Sequence, residues 1–272
     1  MSGAWDLATA TSVGTGVAKT QINGGNNLTK PTQAQSLIEV IPYIASSGAL
    51  TAGQSVLAKG IIESNSINLL PKQFLIPPVL GGLGTFTSAL SGMLDAVECN
   101  TKLQLGSTQQ FQVSGQCFIA NTVAPKMGMS FHYSENLPTQ KEHFYDLPTN
   151  ETNTSTAATQ VSGEDITIND GTYLEGIYPL VVPAVVTASE SYIGYMSVSS
   201  NDFGNSMPLK VPVQPISTGL GSHVSVYVSK LPHYSNIHMP MKSSCLISHT
   251  YTQEEAITAT GNFQIGYEYV KN

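Results

Sequence analysis

Between Gln110 and Ile119 the chain alternates with a period of two. Phe111, Val113, Gly115, Cys117 and Ile119 share one parity, and Gln110, Gln112, Ser114, Gln116 and Phe118, nearly all polar, share the other. That is the spacing of a strand with one buried face. The same alternation recurs in Tyr192 to Val198, in Val224, Val226 and Val228, and in Phe263, Ile265, Tyr267 and Tyr269. From Gln35 to Asn68 the apolar residues come in short runs, Leu37-Ile38, Val40-Ile41, Val56-Leu57 and Ile61-Ile62. The turn-like Ser46-Ser47-Gly48 and Thr51-Ala52-Gly53 separate them, which predicts strand, turn and strand. In all, about a dozen segments have the length and pattern of strands.

Prolines qualify two apolar stretches. Leu69 to Pro78 carries Pro71, Pro77 and Pro78, so it is extended and belongs at a sheet edge or a crossing between sheets. Tyr178 to Val186 is too apolar for a solvated strand and is interrupted by Pro179 and Pro183; it is expected between sheets or against a neighbouring subunit. One short helix is predicted near residues 87–98. Thr87 or Ser88 caps it, Leu90, Met93, Leu94 and Val97 form an apolar stripe, and Asp95 and Glu98 lie off that stripe.

Two segments lack periodicity. Residues 1–34, rich in Gly, Ala, Thr and Asn, are expected to be an extended N-terminal arm, followed by one domain over residues 35–272. The stretch from Glu135 to Asp165 is polar, with only Leu137, Leu147 and Val161 as larger aliphatics, and is expected to be a long surface excursion within that domain. Many short strands, frequent Gly and Pro turns and a single short helix predict an all-β, antiparallel sandwich or barrel.

Charge changes the picture. Asp, Glu, Lys and Arg make up 11% of the 272 residues, against about 25% in ordinary soluble domains. A monomer of this mass exposes roughly 11,000 Å², so its eleven basic and eighteen acidic side chains amount to about one formal charge per 390 Å² of that surface. Disordered chains combine low hydrophobicity with high net charge, whereas here 41% of residues are hydrophobic. A surface this poor in charge is expected to meet other protein subunits. All eleven basic residues are lysine and the net charge is −7, which argues against direct nucleic-acid binding.

The sequence carries little recognisable catalytic or ligand-binding chemistry. Gly53-Gln54-Ser55-Val56-Leu57 lacks the second glycine of a nucleophile elbow. There is no Walker loop, GxGxxG or HExxH motif. Cys99, Cys117 and Cys245 are too far apart for a CxxC site and are expected to be buried thiols. His132, His143, His223, His233, His238 and His249 are scattered, and none has the spacing of paired metal ligands. The local carboxylate clusters are Glu164-Asp165, Glu254-Glu255 and the Asn201-Asp202 turn. They fit turns and helix starts more readily than a glycosidase pair, and the ordered DxDxDG calcium pattern is missing. Tyr173, Tyr178, Tyr192, Tyr195, Tyr267 and Tyr269 are placed on strands, where packing across strands is the simpler role and a sugar platform the sharper one. The sequons at Asn27, Asn150 and Asn153 are read as chance. No signal-peptide pattern and no run of 18 apolar residues is seen. No catalytic, cofactor or metal residues are assigned, and the chain is not expected to be an enzyme or to take a small-molecule substrate.

The Gly/Ala/Thr-rich first 34 residues, the Pro-bounded Pro71–Pro78 segment, the low charge and the polar stretch 135–165 together resemble the jelly-roll major capsid proteins of tailless, membrane-containing icosahedral bacterial and archaeal viruses. The resemblance implies an eight-stranded jelly-roll sandwich. A single roll with insertions is favoured over a double roll, because double rolls usually need a longer chain. It also implies a structural subunit made in the host cytoplasm, assembling in the virion with copies of itself and sister capsid proteins over an internal lipid membrane. The alternative is a receptor- or glycan-binding spike or adhesin module.

Overall fold

A computed structural model describes residues 3–46, 55–64, 69–80, 99–106, 110–118, 120, 124–137, 143–146, 151–153, 160–162, 166–168, 172–183, 191–192, 194–200, 208–213, 216–217, 234–241, 245–253 and 261–271. These residues are almost entirely antiparallel strand, with one 3-10 turn and no α-helix. The helix expected at 87–98 falls outside them. The chain divides into two compact units: Met1–Ala49, Val56–Val79 and Ala96–Asp146 form the first, and Leu50–Ser55, Leu80–Asp95 and Leu147–Asn272 the second.

The first unit runs β1 (Gly3–Ser12), β2 (Thr20–Gln21), the turn Asn23–Gly25, β3 (Leu28–Thr29), β4 (Ser36–Ser46), β5 (Ser55–Ser64), β6 (Leu69–Leu80), β7 (Cys99–Gln104), β8 (Gln110–Cys117) and β9 (Pro125–Ser134). One sheet has the order β1-β9-β4-β7 and the other β2-β8-β5-β6, with β3 also on β8. When β2 and β3 are taken as two pieces of one strand, the first strand pairs with the last, the second with the seventh, the third with the sixth and the fourth with the fifth. That nesting is the jelly roll.

The two sheets pack through Phe111 of β8 and Phe131 of β9, which stack with centroids 6.3 Å apart, and Tyr133 continues the column. Glycine brings the sheets close. A methyl group at Gly60 or Gly115 would collide with Met129 or Met127 on the facing sheet, so the two methionines fill space that any larger residue would claim.

The chain continues through β10 (His143–Asp146) to the strands of the second unit: β11 (Glu151–Asn153), β12 (Gln160–Ser162), β13 (Ile166–Ile168), β14 (Thr172–Pro183), β15 (Ser191–Tyr192), β16 (Gly194–Ser199), β17 (Leu209–Pro212), β18 (Ile216–Ser217), β19 (Tyr234–Met241), β20 (Cys245–Gln253) and β21 (Gly261–Lys271). Its sheets are β21-β14-β19, with β11 on β21, and β20-β16-β17, with β12 and β13 both on β20. A short β15-β18 pair stands apart. The nesting of the first unit is repeated. The chain is thus an all-β, antiparallel sandwich of jelly-roll type, as expected, and its strand pairing describes two rolls in succession where the sequence reading favoured one.

Two other segments differ from expectation. Residues 1–34 contain β1 to β3, and Ala8, Val13, Ile22, Leu28 and Ala34 are buried. Small Ala, Thr and Gly side chains give an alternation of low amplitude, which is why this strand looked like an arm. The polar stretch 135–165 carries β10 to β12. Strands of three or four residues are too short to show a period against Thr and Asn.

Pro42 lies on β4 opposite Met129 of β9, and Pro179 lies on β14 opposite Ile265 of β21; each holds a place in the ladder without donating an N–H.

Candidate functional surface

The carboxylate clusters at Glu164-Asp165, Glu254-Glu255 and Asn201-Asp202, together with His223 and His233, lie outside the described residues. His143 is on β10. His132 faces Glu39 across β9 and β4, with Nδ1 3.5 Å from Oε2. His249 is buried in the second unit, edge-on to Tyr267 at 6.0 Å. Cys117 is a buried cysteine outside any disulfide, as expected. Among the described residues no three His, Cys, Asp or Glu side chains are grouped to hold a metal, and no helix is long and apolar enough to cross a membrane.

The sixth histidine is where local structure becomes unusual. Leu174 pairs with Met239 and Gly176 with Ser235, so β19 bulges opposite Glu175. In that bulge His238 adopts φ +46°, a left-handed conformation rare for a residue with a side chain. Its ring stacks on Tyr173 at 4.7 Å and 11°, and its Nδ1 lies 2.9 Å from Glu175 Oε1. A carboxylate at Nδ1 fixes the ring and leaves Nε2 pointing away. The His238 side chain is 71% exposed, so the cluster presents an oriented imidazole beside an aromatic ring. Tyr173 was singled out in the sequence, but its meeting with Glu175 and His238 was not. Contacts across 63 residues through a bulge leave no trace in periodicity.

A second built feature lies at one end of the first roll. Lys30 is buried, and its ammonium donates to the carbonyl oxygens of Ala34 at 2.7 Å and of Pro31 and Thr32 at 3.3 Å each. The loop is therefore folded around its own cation. Beside it is a cavity of about 260 Å³ lined by Ala4, Pro31 to Ala34 and Tyr133 to Glu135. Tyr133 is wholly buried, and its hydroxyl finds no hydrogen-bond partner among the described residues. Burial, and then the charge of Asp6, push that phenol well above the ordinary tyrosine range. An open groove of about 740 Å³ adjoins the loop, bordered by Leu105, Asn136 and Leu137.

No protein-family model and no curated protein matches the sequence. Solved structures do match. Over 98% of the chain and 96% of the other, it superposes on recombinant N-glycanase F (PNGase F) with a TM-score of 0.54 and 8% identity. A second structure of that protein, described as a glycosylasparaginase from Flavobacterium meningosepticum, gives 0.52 and 7%, covering 100% of this chain and 96% of that one. A chain from the structure of Sulfolobus turreted icosahedral virus covers 99% of this chain and 91% of its own, with a TM-score of 0.43 and 8% identity.

At these identities the PNGase F likeness shows the fold alone. It nevertheless corrects the expectation that the chain is not an enzyme: an amidase is built on this fold along the whole length of the chain. Residues from separate strands can assemble a site that no contiguous motif records.

Proposed function

We propose that the chain is a structural subunit of a virus shell, associating through its surface with copies of itself and with sister proteins. The observation that carries this reading is the charge content. Two successive sandwiches built from 272 residues with only 11% charged side chains present a surface dominated by neutral polar groups. Such a surface is suited to close contact with like surfaces. The missing arginines and net charge of −7 fit a shell that leaves genome contact to other components, and an internal membrane beneath the shell is compatible with them. Particles or ring-shaped capsomers should form in purified protein. A concentration-independent monomer defeats the proposal.

One specific observation favours a second reading, an amidase acting on glycosylated asparagine like the enzyme that shares the fold. His238, oriented by Glu175 and stacked on Tyr173, is the kind of group that general base catalysis or sugar stacking uses. Incubation with an N-glycopeptide, followed by mass spectrometry for the released glycan and the new aspartate, tests it. Turnover abolished by His238→Ala supports this reading, and an unchanged glycopeptide removes it.

A further inference from the structure

Among the described residues the first sheet of the first roll ends at β1, a ten-residue strand whose only charged residue is Asp6. Such an edge ordinarily offers alternate N–H and C=O groups to any other strand. Here three of these groups in the middle of the strand, the Leu7 amide, the Thr9 amide and the Thr9 carbonyl, are engaged by side chains. The Leu7 amide donates to Asp6 Oδ1 at 2.8 Å. The Thr9 amide and the Thr9 hydroxyl both donate to Asn23 Oδ1 at 3.1 Å. The Thr9 carbonyl accepts from the Thr11 hydroxyl at 3.2 Å, and that hydroxyl accepts in turn from the Gly24 amide at 2.8 Å.

The element making most of these contacts is strained for the purpose. Asn23, Gly24 and Gly25 all have positive φ, at 61°, 63° and 79°. Three left-handed residues in succession fold the turn back, and its own amides from Gly25 and Asn26 bond to the carbonyls of Ile22 and Asn23. Asn tolerates this conformation better than other residues with a side chain. A shift in register between Ala8 and Thr11 breaks the ladder at the same place.

We propose that the Asn23–Gly25 turn, with Asp6 and Thr11, is a latch that closes the outer edge of β1 to strand addition by a second copy of the chain. The occupant that the latch excludes is another β1. That strand has one charge in ten residues, and antiparallel pairing of two copies sets small Ala and Thr side chains opposite one another. The second roll treats an edge in a related way. β19 is bowed by the bulge at Glu175, with His238 at positive φ. Copies of the chain therefore meet through faces and loops, not through continuous sheets. This goes beyond the shell reading and stands without it.

Asn23→Gly keeps the left-handed backbone and deletes the acceptor. By residue-resolved hydrogen exchange, the Thr9 amide should exchange about tenfold faster in this variant, the equivalent of one lost hydrogen bond, while Leu7 is unchanged. Asp6→Ala should do the reverse. A labelled peptide of residues 3–12 should not be captured by the wild-type protein. It should be captured by Asp6→Ala/Asn23→Gly, and lost again when Thr9→Pro removes the outward donor. Protected Phe131 amides on β9 report that the roll is intact in each case. Unchanged Thr9 exchange in Asn23→Gly overturns the proposal. So does equal capture by wild type and double variant, absence of capture by the double variant, or capture that Thr9→Pro leaves in place.

Discussion

Gly194 opens β16 and pairs with Gln253 of β20, while its carbonyl accepts from the Val213 amide at 3.0 Å. A methyl group built on its α-carbon lands on the backbone carbonyl of Thr252 and on the ring of Tyr251, which is wholly buried. Neither can move cheaply, because the carbonyl belongs to the ladder and the ring is enclosed. Gly194→Ala must therefore push β16 from β20. Overpacking of this kind costs about 1 to 3 kcal/mol, and one or two weakened ladder bonds add about 1 kcal/mol each. Lower unfolded-state entropy returns about 0.4 to 1 kcal/mol. The net expectation is a loss of about 1 to 4.5 kcal/mol in the second roll.

Gly128 provides the control. The nearest atoms to a methyl group there belong to the ring of Tyr43, opposite it on β4, and Tyr43 is 37% exposed. The ring can swing outward, so Gly128→Ala should change stability by less than about 1 kcal/mol. Two rolls need not unfold as one transition, so denaturant-dependent hydrogen exchange read amide by amide is the right assay. Gly194→Ala should lower protection in β16 and β20 and spare β8 and β9. Wild-type protection in Gly194→Ala, or a larger loss in Gly128→Ala, refutes the packing argument.

Other consequences follow from single residues. Lys30→Met keeps the aliphatic stem and removes the ammonium from the Thr32 and Ala34 carbonyls, while the Pro31 carbonyl keeps the Ala34 amide. One short charge-assisted bond and two long ones place the cost at about 1.5 to 3 kcal/mol, seen as faster exchange of the Ala34 and Gln35 amides. Tyr133→Phe removes a buried hydroxyl without a described partner and should leave the first roll as stable or more stable by about 1 kcal/mol. Because the Tyr133 phenol is raised above its unfolded value, the folded state keeps that proton longer. The resulting stability is whole below the ordinary tyrosine range and is lost as pH climbs through and beyond it. Alkaline titration of phenolate absorbance should show Tyr133 ionising only with unfolding, and Tyr133→Phe should unfold at higher pH. Cys117, wholly enclosed in β8, should resist a thiol reagent until the first roll opens.

The legible parts of the fold were those where large side chains alternate. In β8, Phe111, Val113, Gly115 and Cys117 are all buried, as the period of two required. Met196, Val198, Ile265 and Tyr267 follow the same rule. The Pro-bounded segment 69–78 is extended, in β6, which ends its sheet among the described residues. What stayed hidden was built from small or short pieces. β1 hides its period in Ala and Thr, and β11 to β13 are only three residues each. Those strands supply half of each roll's nesting, and chain length, the ground on which a single roll was favoured, does not reveal that both rolls are built from such short pieces. The Tyr173, Glu175 and His238 cluster was illegible for a different reason. It depends on a bulge that turns a strand residue through a positive φ, and no pattern of residue types announces that.

Negative-stain electron microscopy of the purified chain across a range of concentrations, alongside light scattering, tests the shell-subunit proposal directly. Uniform rings or shells whose population grows with concentration are expected. Monodisperse single molecules at the highest concentration reached would contradict it.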